Sequence, residues 1–125
     1  MDTAPKKVLI IDDDSMLRAP LREALRARGI VTFEAENGRD GLSMTMTEHP
    51  NLIILDLGMP VMDGPEFLRA LRQDEWGKTA DVVLLTNYAT LDKVGEAMTL
   101  GVTKYFLKAA YDLSDLVERL VAEIH

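Results

Sequence analysis

The sequence predicts a doubly wound α/β domain, a (βα)5 three-layer sandwich in which helices cover both faces of a parallel sheet. Five short apolar segments recur along the 125 residues, and a helical pattern follows each of them. Crossovers of this length make neighbouring strands parallel and their connections right-handed. Charged residues follow three of the segments, at the strand ends where open parallel sheets bind their ligands.

The predicted strands differ in how apolar they are. They span Val8–Ile11, Val31–Ala35, Leu52–Leu55, Val82–Leu85 and Thr103–Leu107. Three of these segments are nearly continuous runs of leucine and β-branched residues, which is typical of strands covered on both faces. The second segment mixes polar and apolar residues, so we expect it at an edge of the sheet.

Helical periodicity and capping residues place one helix after each strand. The first helix has Ser15 as its expected N-cap, Gly29 as its expected C-cap and Pro20 one turn inside it. The third helix has a proline in its first turn, and the fourth is expected to end at a glycine. The remaining predicted helices span Arg39–Glu48, Pro65–Gln73, Thr90–Leu100 and a last segment from about Asp112 to Ile124.

Composition argues against several classes of function. The net charge of −7 argues against a nucleic-acid surface, because such a surface needs clustered lysine and arginine. The chain has no cysteine, which excludes disulfides and thiol chemistry. Its apolar runs are too short to span a bilayer and its N-terminus lacks the apolar core of a signal peptide, so we expect a cytoplasmic protein with no membrane partner. His49 and His125 lie far apart and are expected to be exposed structural residues.

Three carboxylates and one lysine stand where buried strands are expected to end. Asp12 and Asp13 follow the first strand, Asp56 follows the third, and Lys108 follows the fifth. If the carboxylates lie within ~4 Å of one another, each like-charge pair costs about 4 kcal/mol at an effective dielectric of about 20. A divalent cation removes this cost, and oxygen-only ligands favour Mg²⁺, with Mn²⁺ as an alternative. Taken alone, the acidic run that ends at Asp14 fits a helix cap equally well.

The strand-end motifs together resemble the receiver domain of two-component response regulators. The matching segments are Val8–Asp14, Leu55–Gly64, Leu84–Thr86 and Tyr105–Lys108, and the resemblance covers nearly the whole chain. It implies the flavodoxin-like strand order 2-1-3-4-5, in which strands 1 and 3 are neighbours. The acids that follow these two strands would then meet at the topological switch point.

The resemblance implies that the acidic cluster takes part in a phosphorelay. Asp56 is expected to be the phosphoacceptor, taking a phosphoryl group from a phosphohistidine to give an aspartyl phosphate. Asp13 and Asp56 are expected to bind Mg²⁺ directly, Asp12 directly or through water, and Gly58 through its backbone carbonyl. Such transfer depends mainly on positioning and charge neutralisation. The domain would catalyse only its own phosphorylation and dephosphorylation and would not be a classical enzyme.

The resemblance also implies a conformational switch. Lys108 is expected to pair with the phosphoryl group, and the hydroxyl of Thr86 is expected to bond one of its oxygens. Movement of Thr86 towards that group would let Tyr105 turn inward and change the face formed by helix 4, strand 5 and helix 5. The alternative for Tyr105 is a half-buried strand aromatic with no role in switching.

The implied partners are proteins. A sensor histidine kinase or a histidine phosphotransfer protein would donate the phosphoryl group, and a downstream protein target or an output domain would receive the signal. We expect residues 1–125 to form a single receiver domain with no output domain in this chain. We also expect no direct contact with nucleic acid, and either a monomer or a weak homodimer through helix 4, strand 5 and helix 5.

Several positions depart from the family pattern. Ala109 follows the conserved lysine where the family usually has proline, and a cis bond before alanine costs about 3–4 kcal/mol, so the sequence leaves the cis or trans state of this bond open. Asn87 stands after the conserved hydroxyl where a small residue is usual, and would narrow access to the phosphoryl group or bond it. Gly58 has no side chain to orient a hydrolytic water and Tyr88 is placed to shield the site, which predicts slow autodephosphorylation.

Two other functions fit parts of this pattern. The first acidic run resembles the Asp-x-Asp start of haloacid dehalogenase-type phosphatases, in which Asp12 would be the nucleophile and Asp14 the general acid. This alternative lacks the acidic pair expected after the lysine and gives Asp56 no role. The other alternative is a binding module that no longer transfers phosphate, for which Asn87 and Ala109 leave room.

Overall fold

The computed structural model describes residues 4–125 and contains one five-stranded parallel sheet in the order β2-β1-β3-β4-β5. This order confirms the predicted doubly wound fold. Residues 1–3, which the predicted domain included, lie outside the described residues. The strands are β1 Lys7–Ile11, β2 Val31–Ala35, β3 Leu52–Leu55, β4 Val82–Thr86 and β5 Tyr105–Leu107.

Five α-helices and three short 3-10 segments connect and follow the strands. The α-helices are α1 Ser15–Arg26, α2 Gly38–Glu48, α3 Gly64–Gln73, α4 Val94–Thr99 and α5 Leu113–Val121. The 3-10 segments are Gly77–Thr79, Tyr88–Lys93 and Lys108–Ala110. None of the helices among residues 4–125 combines the length and the apolar character needed to cross a membrane.

Two hydrophobic clusters lie on opposite faces of the sheet. Successive side chains of a strand point to opposite faces, so β1 supplies Val8 and Ile10 to one cluster and Leu9 and Ile11 to the other. The first cluster is covered by buried residues of α1 and α5, and the second by buried residues of α3 and α4. Helices on both faces explain why the inner strands are almost entirely apolar, the exceptions being Lys7 at the start of β1 and Thr86 at the end of β4. β2, whose residue Val31 is 37% exposed, lies at the sheet edge as predicted.

The ends of α1 differ from the prediction. Asp14, and not Ser15, is the N-cap, because Asp14 has extended backbone and its side chain accepts a hydrogen bond from the N–H of Met16 at 3.0 Å. The helix ends at Arg26 with Ala27 as its C-cap, so the expectation of Gly29 as C-cap is wrong. Gly29 follows in the left-handed region with φ +78°, where it turns the chain towards β2.

The fourth helix is shorter than predicted. The periodic pattern of Thr90–Leu100 becomes a 3-10 segment, Tyr88–Lys93, followed by only six residues of α4. The N–H and the hydroxyl of Thr90 both donate to the carbonyl of Asn87 at 3.3 Å, and such local bonds compete with a regular helix start. The C-terminal stop was correct, since Gly101 has φ +87°.

Three further sequence predictions concern the histidines, the bond after Lys108 and the end of the last helix. His49 and His125 are exposed, as predicted, and the ring of His49 stacks on Trp76 with centroids 4.3 Å apart. The bond between Lys108 and Ala109 is trans, as are all the other peptide bonds between residues 4 and 125. The last helix ends at Val121 rather than at Ile124.

Candidate functional site

The neighbouring strands β1 and β3 bring two of the predicted carboxylates to the same point of the sheet edge. Ile11 pairs with Leu55 in register, so Asp12 and Asp56 are the next residues on the two strands. The N–H of Asp56 donates to the carbonyl of Ile11 at 2.9 Å, and the N–H of Asp12 donates to β2 at 3.1 Å. The backbone of both acids is therefore fixed by the sheet itself.

The side chains of three acids form one cluster. Carboxylate oxygens of Asp12, Asp13 and Asp56 all lie within 4.8 Å of one another. Asp12 and Asp56 are buried, with 1% and 3% exposure, whereas Asp13 is exposed at the mouth of the cluster. The structure thus brings together the three acids that the sequence placed at separate strand ends.

Lys108 reaches this cluster from the end of β5, two strands away from β3. Its Nζ lies 2.8 Å from Oδ2 of Asp12 and 3.6 Å from Oδ1 of Asp56. Apart from these ion pairs, neither oxygen has a hydrogen-bond partner among the described residues. One cation thus faces two buried carboxylates and the exposed Asp13, which leaves the cluster with excess negative charge.

The excess negative charge changes the ionisation of the site. Burial, and next the charge of Asp12, raise the pKa of Asp56 to about 6 from its ordinary value of 3.8. Burial also raises the pKa of Asp12, although the ion pair with Lys108 partly offsets this rise. Burial alone lowers the pKa of Lys108, but the hydrogen bond and charge of Asp12 and the charge of Asp56 outweigh it, so its pKa lies above the ordinary value.

The donor set of the cluster fits Mg²⁺. All candidate ligands are carboxylate oxygens, two of which have no hydrogen-bond partner apart from their ion pairs with Lys108, and hard oxygen ligands are what Mg²⁺ prefers. The backbone N–H of Gly58 bonds the carboxylate of Asp56 and favours its charged form. The exposure of Asp13 leaves one side open for water or a further ligand.

Thr86 and Tyr105 occupy different environments near this site. Thr86, the last residue of β4, is fully buried, and its Oγ1 lies 2.5 Å from Oγ1 of Thr90. Its other hydrogen-bond contact is with the carbonyl of Asn87 at 3.3 Å, so its hydroxyl does not bond the acid cluster. Tyr105 on β5 is 41% exposed, which places its ring at the surface.

Arg18 supports the acid cluster and was not singled out by sequence reasoning. Its guanidinium donates to the backbone carbonyl of Asp12 at 2.6 Å and to Oε1 of Glu34 at 3.0 Å. Arg22 also binds Glu34, and these two bonds lower the pKa of that carboxyl against the opposing effect of burial. Because Glu34 lies on β2, no local sequence signal connects it with Arg18.

Asp14 has a structural role that does not fit a general acid. It is exposed, and its carboxylate is engaged as the N-cap of α1. Its own N–H donates to Oδ1 of Asp12 at 2.9 Å. The phosphatase alternative needs Asp14 free to donate a proton to a leaving group, so this geometry argues against it.

Comparisons with known proteins identify the family of this chain. A family model described as the response regulator receiver domain matches residues 8–121. Sporulation initiation phosphotransferase F of Bacillus subtilis is 33% identical over 111 residues, which cover 89% of this chain and 87% of that protein. The KDP operon transcriptional regulatory protein KdpE of Escherichia coli is 41% identical over 113 residues, which cover 90% of this chain but only 48% of that protein.

Solved structures show the same likeness along nearly the whole chain. The chemotaxis protein CheY4 of Vibrio cholerae superposes with a TM-score of 0.86 and 29% sequence identity. The alignment covers 97% of this chain and 100% of that structure. Sequence and structure therefore point to the same family.

Proposed function

This chain belongs to the response regulator receiver family, and from that membership we propose that Asp56 is the residue that accepts the phosphoryl group. A receiver is the phosphoacceptor module of a two-component signalling protein and is not a classical enzyme. The single observation that supports Asp56 most strongly is its place between Asp12, Asp13 and Lys108 at the carboxyl edge of β3. Asp12 has the same neighbours, so the choice of Asp56 over Asp12 as phosphoacceptor rests on the family.

The proposed reaction is an in-line displacement at phosphorus. A carboxylate oxygen of Asp56 forms a bond to the phosphorus of a phosphohistidine, and the bond between phosphorus and the histidine nitrogen breaks. The imidazole leaves with the electron pair and takes up a proton from water. The product is an aspartyl phosphate on Asp56, with Lys108 close enough to neutralise part of the added charge.

Asp12, Asp13 and Asp56 would hold Mg²⁺, and the carbonyl of Gly58 is proposed to complete the protein ligands. When bound, this ion supplies charge neutralisation for the phosphoryl oxygens. Arg18 holds the Asp12 carbonyl and thereby fixes the direction of the loop that carries two of the acids. The proposed ligand set rests on the oxygen-only donors, which suit Mg²⁺ and would also accept Mn²⁺.

The proposed signal travels from Thr86 to the face formed by α4, β5 and α5. Thr86 is buried at the end of β4, beside Asn87 and the 3-10 segment that leads into α4. An anionic group on Asp56 would attract the Thr86 hydroxyl, and Tyr105 would turn inward from its exposed position. Exposed Tyr105 and Met98 make this face suitable for contact with a downstream target, an output domain or a second copy of the chain.

The proposed partners follow from the family. A sensor histidine kinase or a histidine phosphotransfer protein would supply the phosphoryl group in the cytoplasm, and residues 1–125 would act as a single receiver domain. The acidic net charge of −7 supports a protein partner rather than nucleic acid. Mixing the purified chain with candidate kinases, and following transfer of labelled phosphate, identifies the donor.

Mapping the modified residue tests the proposed phosphoacceptor. The wild-type chain, incubated with Mg²⁺ and acetyl phosphate, is expected to gain one phosphoryl group on Asp56 by mass spectrometry. Asp56→Asn is expected to abolish the gain, whereas the matched control Asp92→Asn, an exposed aspartate of the Tyr88–Lys93 segment, is expected to retain it. Phosphate on Asp12 would instead support the phosphatase alternative. No mass gain, with no response to beryllofluoride, would support the inert binding module.

We also propose slow loss of phosphate from Asp56. Gly58 offers no side chain to orient water, and Tyr88, which is 67% exposed, stays a proposed shield of the site. The methyl group of Thr90 lies next to Gly58, because a Cβ added at position 58 would stand 2.5 Å from it. Phosphate loss is to be timed for the wild type and for Gly58→Asn in a Thr90→Ser background, where this clash is absent. Loss within seconds from the wild type contradicts the proposal.

A further inference from the structure

We propose that Thr90 is a positioning residue that holds the Thr86 hydroxyl away from Asp56 until a phosphoryl group arrives. This inference rests on the proposed function of Asp56 and Thr86 and adds a residue to it. The observation that supports it is the contact between the hydroxyls of Thr86 and Thr90, whose oxygens lie 2.5 Å apart. Thr90 lies at the start of the segment that leads into α4 and follows Thr86 by one turn.

The hydroxyl of Thr90 is held by several partners at once. It lies 3.3 Å from the backbone carbonyl of Asn87 and 3.3 Å from the side-chain oxygen Oδ1 of the same residue. Thr86 reaches the same backbone carbonyl at 3.3 Å. The two hydroxyls and Asn87 therefore form one small network that satisfies the buried Thr86 without any contribution from the acid cluster.

The methyl group of Thr90 depends on Gly58. A Cβ added at position 58 would meet the Cγ2 of Thr90 at 2.5 Å, far closer than side-chain carbons approach. The missing side chain at position 58 thus provides the space that Thr90 occupies between the β3 loop and the end of β4. A larger residue at position 58 requires Thr90 or the loop that carries Gly58 to shift, and a shift of Thr90 would distort its bond to Thr86.

These two contacts make the position of Thr86 depend on Thr90. Thr90 has one hydroxyl proton, and when it donates that proton to Asn87, Thr86 is the donor in the bond between the two hydroxyls. A Thr86 hydroxyl that donates to a phosphoryl oxygen then no longer donates to Thr90. Phosphorylation therefore exchanges the Thr86–Thr90 bond for a bond from Thr86 to the phosphoryl group, and the Tyr88–Lys93 segment loses one of its attachments to β4. The segment that precedes α4 is thus released by the same event that neutralises the phosphoryl charge.

A matched pair of variants separates the hydroxyl from the shape of the side chain. Thr90→Val keeps the β-branched shape and removes the hydroxyl, whereas Thr90→Ser keeps the hydroxyl. With beryllofluoride and Mg²⁺ as the probe, Thr90→Val is expected to bind roughly two- to tenfold more tightly than wild type, the range of one net hydrogen bond. Thr90→Ser is expected to bind within about twofold of wild type, which provides rescue by the conservative variant.

A control variant in α4 tests whether the loss of any threonine hydroxyl has the same effect. Thr99→Val removes an exposed hydroxyl that bonds the carbonyl of Glu96 and lies outside the network, so it is expected to leave beryllofluoride affinity unchanged. Equal affinity of wild type and Thr90→Val overturns the proposal. An equal gain in Thr99→Val also overturns it, because the effect would then belong to the stability of α4.

A double-variant cycle tests the dependence on Gly58. Gly58→Ala is expected to change beryllofluoride affinity more in the wild-type background, where its Cβ clashes with Thr90, than in Thr90→Ser, which lacks the clashing methyl. Equal effects in both backgrounds contradict the steric part. If the wild type itself shows neither Mg²⁺-dependent beryllofluoride binding nor a mass gain on Asp56, the proposed function fails, which is a separate result.

Discussion

The acid cluster and the segment around α4 lie at the same edge of the sheet but are held in place very differently. The acids follow β1 and β3, and α1 and α3 beside them begin with side-chain caps at Asp14 and Asp63. α4 has six residues, no side-chain cap and a 3-10 segment before it. Firm positioning suits phosphoryl transfer, whereas a region with few strong attachments rearranges at low cost.

The cap of α3 illustrates the firm region. The Asp63 side chain accepts from the N–H of Glu66 at 3.0 Å, and the Glu66 side chain accepts from the N–H of Asp63 at 3.4 Å. This reciprocal capping box satisfies two helix-start donors. By contrast, Asn87 precedes the segment of α4 without any side-chain cap bond, and its oxygens contact Thr90 instead.

The largest expected effect is a loss of stability in the firm region. Phe67 of α3 is fully buried, and Phe67→Ala is expected to lower the free energy of unfolding by about 3–5 kcal/mol. The matched variant Leu91→Ala, at a half-buried position in the 3-10 segment, is expected to cost only about 1 kcal/mol. Urea denaturation measures both, and equal losses would contradict the proposed difference between the two regions.

The second largest effect concerns the unfavourable burial of negative charge in the acid cluster. The pKa of Asp56 is about 6 when folded and 3.8 ordinarily, so the folded state binds the proton more tightly. Its burial therefore destabilises the fold above pH ~6, and the penalty disappears as the pH falls towards ~4. Asp56→Asn is expected to stabilise the metal-free domain by about 2–3 kcal/mol at neutral pH, with the gain vanishing near pH ~4.

Thermal unfolding of wild type and Asp56→Asn across this pH range checks the prediction. Asp63→Asn serves as a comparison because its carboxylate is a helix cap outside the acid cluster. Added Mg²⁺ is expected to stabilise the wild type and to reduce the advantage of Asp56→Asn. A constant difference between wild type and Asp56→Asn from acid to neutral pH would show that Asp56 does not carry the raised pKa.

The third effect concerns a side chain that joins the two regions. Arg72 of α3 donates to the carbonyls of Leu100, Gly77 and Ala80, each at 2.8 Å. Arg72→Met keeps much of the packing but leaves partly buried carbonyls without a donor, which is expected to cost about 1–3 kcal/mol. Hydrogen exchange is expected to accelerate in α4 more than in α1, and equal acceleration in both helices would argue against a local link.

The smallest effect concerns a second link between the same regions. Lys93 lies 3.4 Å from the carboxylate of Asp63, and both side chains are partly exposed. Because such ion pairs are screened by water, Lys93→Met is expected to change stability by less than about 1 kcal/mol. The change is to be measured by urea denaturation at low and high salt. A salt-independent loss as large as that of Arg72→Met would place Lys93 among the firm attachments.

Long-range pairing explains which parts of the site the sequence revealed. Asp12, Asp13, Asp56 and Lys108 were predictable because each follows an apolar run, and strand ends of a parallel sheet share one edge. Arg18 was not, because its partners are a backbone carbonyl and a glutamate on β2.

The same distinction applies to α4. Its apolar periodicity predicted a continuous helix from Thr90, but the hydrogen bonds that Thr90 makes with Asn87 and Thr86 compete with the first turn. Those bonds depend on the space above Gly58, which belongs to another loop. Local sequence patterns carry no information about this contact between Gly58 and Thr90.

The amino-acid sequence alone was enough to predict the succession of strands and helices, the apolar core and the acids at the strand ends. These features depend on periodicity and on residue type, which are local properties of the chain. Tertiary structure alone decided that Thr86 bonds Thr90, that Gly58 makes room for it, and that one lysine faces two buried carboxylates. Thr86 and Thr90 are only four residues apart, but Gly58 and Lys108 meet their partners across segments distant in sequence, so distances and burial, rather than residue type, determine these contacts.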